Sequence, residues 1–319
     1  MTVRILCLHG MGSNAAIFAQ QTSSFRSLLA TDHEMVFLEA PNHCEPSPEV
    51  SGFYPAPYLC WYDTPTTEKV AAAHKFVLNY IERRGPFDGV IGFSQGAALA
   101  ASILLHHQLS KPTIPPPFSF AIFFGSPIPF SHSLQHGIDT RTAFGQRAIT
   151  PIPNRPNCPI EVPRYLITDP AYLRGEEELK RLAREKLYNL DRLKRESMVA
   201  TASIADGFIT QSVGSDSDFN TPEGSASPSS SVSDAGDFDD DFVETFYQMF
   251  HHTCDKVRID IPTGHVYGRK DKWLMHSKDL VNLCGNVIEK VEHGSGHDIP
   301  RGSAEEFADL VETVIAMSM

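Results

Sequence analysis

GVIGFSQGAALA, residues 89–100, sets a serine between two glycines, with an apolar run before it and small residues after it. Val90-Ile91-Gly92-Phe93 reads as the end of a buried parallel strand, and Ala97 to Leu105 reads as a helix of small and aliphatic residues. Gly92-Phe93-Ser94-Gln95-Gly96 fits G-x-S-x-G. In that pattern the serine occupies a strained strand-to-helix turn, and the glycines let strand and helix approach closely. A helix N-terminus beneath it favours developing negative charge. An ordinary strand-to-helix turn would also explain these five residues, so the decision rests on partners elsewhere in the chain.

Bulk properties narrow the field. A chain of 319 residues can bury a substantial core, as one large domain or two small ones. The net charge of −12 argues against a nucleic-acid or anionic-membrane partner. Much of that charge is local: Gln211 to Glu244 holds nine acidic residues and no Lys or Arg, leaving about −3 for the rest. The N-terminal run VRILCL is too short for a signal peptide, and no stretch approaches the roughly 20 apolar residues needed to span a bilayer. Six cysteines, at positions 7, 44, 60, 158, 254 and 284, are scattered with no C-x-x-C. They read as free thiols in a reducing, cytoplasmic setting rather than as a zinc site.

Along the chain, strands alternate with helices, which predicts an α/β fold with a mostly parallel sheet flanked by helices. Strands are expected at Val3–Leu8, Met35–Leu38, around Val90–Phe93, at Phe118–Phe124, Lys256–Tyr267 and Asn286–Val291. Helices are expected at Ile17–Leu29, Thr66–Arg84, Trp273–Cys284 and Ser303–Met317, the second capped by Thr66 or Thr67 and stopped by Gly85-Pro86. The alternation lapses over residues 126–255, which read as an insertion or lid before the last two strands, within a single domain spanning 1–319. Inside it, Ala171–Val199 is a charged helical stretch, read as a solvated helix or, less simply, as a basic docking face. Residues 212–241 are acidic and low in complexity, with too little apolar area to offset chain entropy, so they read as disordered.

Catalytic groups in an open parallel sheet gather at the carboxyl ends of its strands. Ser94 follows one strand, Asp271 the next-to-last and His297 the last, the chain order of α/β-hydrolases. A serine hydroxyl is a weak nucleophile unless an imidazole accepts its proton and a carboxylate fixes that imidazole's tautomer. Each assignment has rivals. Asp298 adjoins His297 and is poorly placed for the ring's far nitrogen; Asp169 follows an apolar run within the insertion; His293 sits near the strand end, where a structural role suits it better. Oxyanion stabilisation calls for two backbone N–H donors: Gln95, after the serine, and Met11, in the loop His9-Gly10-Met11-Gly12-Ser13-Asn14 after the first strand.

The segments ILCLHGMGSN, FDGVIGFSQGAALA, IPTGHVYGRKD and HGSGHDIP resemble the fungal serine hydrolase (FSH) family, over roughly residues 3–124 and 256–317. SGFYPAPYLCWYD, residues 51–63, further resembles members associated with fungal polyketide synthases. The resemblance implies Ser94, Asp271 and His297 as the catalytic triad and a thioesterase or esterase that acts on an acyl or polyketide chain in secondary metabolism. Some members release that chain from an acyl carrier protein, which makes such a protein a candidate partner. The expected chemistry needs no metal or organic cofactor. Tyr58, Trp61 and Tyr62, with Phe53 and Tyr54, could line an acyl pocket, or could equally pin a long loop to the core. A small-molecule carboxylesterase with the same triad is the nearest alternative, and a catalytically silent binding protein on the same fold is the alternative of another class.

Overall fold

Alternate side chains of the first strand feed two different cores. Val3, Ile5 and Cys7 pack on one face with Phe18, Phe25, Phe307 and Leu310, while Leu6 and Leu8 pack on the other with Val70, Val77, Leu99 and Leu104. Such two-sided burial belongs to a parallel sheet covered by helices on both faces. The computed structural model describes residues 3–30, 33–141 and 247–319, all of which fall in one compact unit.

In chain order the described elements begin with β1 (Val3–Leu8), α1 (Ala15–Gln21), α2 (Ser23–Arg26), β2 (His33–Leu38), β3 (Asn42–His43), β4 (Leu59–Cys60) and α3 (Thr67–Arg84). They continue with β5 (Gly89–Phe93), α4 (Gln95–Ser110), β6 (Phe120–Phe124), β7 (Phe130–Ser131), β8 (Ile138–Asp139) and β9 (Gln248–Met249). Last come β10 (Thr263–Gly268), α5 (Leu274–Asn282), β11 (Val287–His293) and α6 (Ala304–Ala316). Six strands form one sheet in the order β11-β10-β6-β5-β1-β2, and every pairing in it is parallel. The protein has an α/β-hydrolase fold.

Strand order reverses between β1 and β5: the chain steps outward from β1 to β2, then returns to build the rest of the sheet on β1's other side. The loops after β1 and β5 therefore meet at a crevice, the usual site of ligand binding in open α/β sheets. Helix α4, buried from Gln95 to His106, runs back from that crevice as the central helix. Its apolar character on all sides is what a fully enclosed helix requires. Thr66 caps α3, accepting from the Lys69 N–H at 3.2 Å, with Glu68 in the first turn and Arg83 and Arg84 in the last, the arrangement a helix dipole favours.

Several boundaries differ from the sequence expectation. The helix expected over Ile17–Leu29 is two short ones, because the Thr22 hydroxyl donates back to the Phe18 carbonyl at 2.8 Å where the first ends. The strand expected from Lys256 starts only at Thr263; Pro262, just before it, has no N–H to give a ladder. Two small antiparallel elements lacked a periodic signal: the ribbon β3–β4 inside the aromatic loop, and the sheet β7-β9-β8. The second joins both described ends of the 126–255 region. The expected charged helix over residues 171–199, the acidic tract over residues 212–241 and Asp169 lie outside the described residues. No helix among the described residues is long and apolar enough to cross a membrane.

Candidate active site

Ser94 has φ 51° and ψ −118°, and it is the one non-glycine residue with positive φ among the described residues. That conformation costs on the order of 1–3 kcal/mol and persists only where its surroundings enforce it. Here the Ser94 N–H donates to the Phe124 carbonyl at 2.9 Å and the Ser94 carbonyl accepts from Ala98 at 3.0 Å. Gly96 is needed because a Cβ there would run into the carbonyl of Leu8, so α4 can sit against β1 only with no side chain at that point. The turn lifts the hydroxyl clear of both strand and helix.

His297 reaches that hydroxyl. Its Nε2 lies 2.8 Å from Ser94 Oγ, and its Nδ1 lies 2.9 Å from Asp271 Oδ2. A carboxylate only accepts, so Nδ1 carries the proton and Nε2 is left to accept from the serine. The Asp271 side chain is 1% exposed, and its Oδ1 accepts from the Trp273 N–H at 2.8 Å. Backbone bonds lace the two loops together: Arg269 N–H to the His293 carbonyl at 2.8 Å and Lys270 N–H to the Ser295 carbonyl at 3.0 Å. The Phe93 ring stacks on the imidazole at 5.0 Å. Gly125, at φ 51°, lies beneath the pair; a Cβ there would come within 3.1 Å of Nδ1 and 3.2 Å of Oδ2.

The loop after β1 is set by a buried imidazole. His9 Nδ1–H donates to the Gly10 carbonyl at 2.8 Å, and Nε2 accepts from the Ala40 N–H at 3.1 Å. Burial holds this ring below the ordinary histidine pKa, and its two partners require the neutral form. The Trp61 indole N–H donates to the His9 carbonyl at 2.8 Å, and the Gly12 N–H donates to the Leu59 carbonyl at 2.9 Å. Gly10 abuts Ser94: a Cβ there would lie 3.2 Å from the serine Cβ. Met11, next along, is 41% exposed. Gln95 opens α4, so its N–H is one of the first-turn donors that a helix leaves without an internal acceptor.

Sequence reasoning missed the second use of Gln95. Its side-chain Oε1 accepts from the Trp61 N–H at 2.9 Å, and its Nε2 donates to the Tyr62 carbonyl at 2.7 Å. A buried amide at the variable position of G-x-S-x-G was the available signal. Of the three aromatics singled out for substrate, Trp61 and Tyr62 are buried and line a cavity of about 540 Å³ together with Asn42 and Phe76. Tyr58 stands apart from that lining, its hydroxyl donating to the Tyr54 carbonyl at 2.7 Å. Of the rivals, His293 is buried with its Nδ1 2.7 Å from Ser295 Oγ, and Asp298 is exposed.

The all-parallel sheet and the groups at its strand ends define the class, an α/β-hydrolase enzyme. The chain belongs to the serine hydrolase (FSH1) family, whose profile matches residues 1–158 and 218–307. It is 39% identical over 319 residues to the esterase FPY3 of Fusarium mangiferae, covering 98% of this chain and 95% of that one. It is 28% identical over 303 residues to the esterase alnB of Emericella nidulans, covering 94% and 91%. The hydrolase FUB4 of Gibberella moniliformis is 28% identical over 326 residues, covering 99% of this chain and all of that one. Among solved structures the chain is similar to a carboxylesterase from Mesorhizobium loti, at 12% identity and TM-score 0.44, covering 98% of this chain and 89% of that one.

Proposed function

We propose that this serine hydrolase cleaves an acyl thioester or ester through a covalent acyl-serine. The observation that carries the reading is the continuous chain of contacts from Ser94 Oγ to His297 Nε2 at 2.8 Å and from His297 Nδ1 to Asp271 at 2.9 Å, on a serine held at positive φ. Ser94 Oγ attacks the acyl carbonyl as its proton passes to His297 Nε2. Asp271 holds the ring's tautomer and offsets the imidazolium charge. The Met11 and Gln95 N–H groups stabilise the tetrahedral oxyanion. His297 then gives its proton to the departing thiol or alcohol, and the acyl-serine remains. Water, deprotonated by the same Nε2, releases the acid and restores the serine.

The cavity beside Trp61 and Tyr62 would take the acyl chain or an aromatic part of it, and Tyr58, expected from the sequence to share in it, is outside its lining. The substrate is a small acyl molecule of secondary metabolism, presented free or on the acyl carrier protein of a polyketide synthase. The free cysteines at positions 7, 44, 60, 254 and 284 suit a reducing cytoplasm. Relatives named as esterases support a second reading, an alcohol leaving group on a small carboxylic ester. A fluorophosphonate probe tests the shared chemistry: it should label the wild type and leave Ser94→Ala unlabelled, and equal labelling of both would overturn the assignment.

A further inference from the structure

His251, His252 and Asp279 form a second cluster of chemistry-bearing side chains, sharing no residue with the Ser94 site. The histidines follow β9, at the end of the long region between β6 and β10, and Asp279 lies on α5. His252 Nε2 is 3.1 Å from Asp279 Oδ1, and His251 Nε2 is 3.6 Å from Asp279 Oδ2. The imidazoles stack at 4.6 Å, and the three ligand-capable atoms lie within 4.8 Å of one another. Two rings thus present the same nitrogen to the two oxygens of one carboxylate.

Hydrogen bonds from two imidazoles to a carboxylate would also give short contacts. Two features, the separations and the fixed backbone, argue for an ion among them. Zinc bonds of about 2.0–2.1 Å in a tetrahedron put neighbouring ligand atoms about 3.3 Å apart, close to the 3.1 and 3.6 Å at which the two rings approach the separate oxygens of Asp279. His251 Nδ1 lies 2.7 Å from Thr253 Oγ1 and accepts from the Thr253 N–H at 3.3 Å, so Nε2 carries the ring's proton towards Asp279 and an ion would displace that proton. The backbone carrying both rings is fixed as well: the Asp255 carboxylate accepts from the His251 and Gly137 N–H groups at 2.9 Å, and Arg258 holds the His252 and Asp255 carbonyls at 3.2 and 2.7 Å. Ligands held this way lose little freedom when an ion arrives.

We propose that His251, His252 and Asp279 bind one divalent transition-metal ion, zinc before others, with water completing the coordination. Two imidazoles and one carboxylate suit zinc or cobalt and are poor ligands for calcium or magnesium, which take oxygen. The side chains of His251 and Asp279 are 5% and 12% exposed and that of His252 27%, so the site is open on the His252 side. No cysteine is needed, which is why the scattered thiols gave no sign of it. The ion would fasten the turn after β9 to α5. The Leu274 N–H of that helix donates to the Asp271 carbonyl at 3.1 Å, so the fastening also bears on the loop that carries the acid.

The test uses tag-free, full-length protein stripped with a chelator and titrated with Co²⁺, with Zn²⁺ added afterwards as competitor. One equivalent of Co²⁺ should bind, with the visible absorption of a four-coordinate ion, and Zn²⁺ should abolish it. Asp279→Asn and His252→Gln should each weaken Co²⁺ binding at least about 10-fold. His297→Gln should bind as wild type, which separates this site from the imidazole beside Ser94. Near-ultraviolet circular dichroism shows whether each variant is folded; should Asp279→Asn unfold, the more exposed His252→Gln decides. Binding only at millimolar metal, binding unchanged in both ligand variants, or binding lost in His297→Gln would each overturn the proposal.

Discussion

The side chain of Gln95 grips the main chain at Trp61, taking the Trp61 N–H at 2.9 Å and giving a hydrogen to the next carbonyl, that of Tyr62, at 2.7 Å. One residue thereby fixes the aromatic segment to the turn that carries Ser94, while Trp61 in turn holds the His9 carbonyl of the loop after β1. Gln95→Ala leaves a buried N–H and a buried carbonyl without partners. Each such loss costs about 1–3 kcal/mol. The urea midpoint should fall accordingly, and turnover should fall further than the folded fraction accounts for. A midpoint equal to wild type would show that the clamp carries no stability.

Ser94 sits at φ 51°, where glycine alone is at ease. Ser94→Gly should therefore melt higher than Ser94→Ala, the difference being on the order of 1 kcal/mol. Both should be inert toward substrate and probe. Calorimetry of the two variants is decisive, since equal melting temperatures would mean that the turn is not strained. His297→Ala and Asp271→Asn should each lower kcat on the order of 10³-fold or more, with Asp169→Asn as the control expected to retain activity.

Gly125 should tolerate no side chain without loss of activity. A methyl group there meets the His297–Asp271 pair at 3.1–3.2 Å and must also accept φ 51°. Gly125→Ala should reduce kcat at least about 10-fold with a melting shift of only a few degrees, the equivalent of roughly 1 kcal/mol. Unchanged steady-state kinetics would show that the pair has room to move.

Acid should destabilise the fold through buried histidines. Burial holds His74 and His132 below the ordinary histidine pKa; it pushes His106 down to about 3, with the neighbouring His132 and His136 adding to the effect. His265 is likewise pushed down to about 3, by burial first and by Lys290 second. Above about pH 6.5 these rings are neutral in both folded and unfolded chains, so they contribute no slope. Below it the unfolded chain binds protons that the folded chain refuses, and stability falls as the pH drops towards 3. Each of the deeply buried rings, His74, His106 and His265, adds up to about 1.4 kcal/mol per pH unit to that slope, and the half-exposed His132 adds less. Urea denaturation of His265→Gln between pH 6 and 4 should show a shallower slope than wild type, and an identical slope would exclude His265 as a contributor.

The leaving group is settled by matched substrates, one acyl chain on a carrier protein and the same chain as a simple alkyl ester. A carrier-borne thioester should show the higher kcat/KM, with an advantage that shrinks as salt screens the docking charges. Equal or faster turnover of the free ester, indifferent to salt, would favour the carboxylesterase reading.

The central strands were legible because burial on both faces writes them as short apolar runs, as in Phe120–Phe124, and the groups expected at the strand ends could be read off by position. What escaped was contact between segments with no shared period. Nothing local marks Gln95 as a partner of Trp61, or Asp279 as the meeting point of His251 and His252. The ribbon β3–β4 is too short to show alternation, and the break at Thr22 turns on a hydroxyl whose choice of acceptor is a matter of geometry.

β6 and β10 are direct neighbours, paired from Thr263 with Ala121 to Val266 with Phe124, although the chain between them makes its longest excursion. The strands β7 and β8 at its outset share β9 at its return, so the excursion leaves and rejoins through one small seam. The pairing of β6 with β10 itself runs without a shift of register. The excursion thus opens and closes at a common hem, which ties its two described ends to each other before the main sheet resumes.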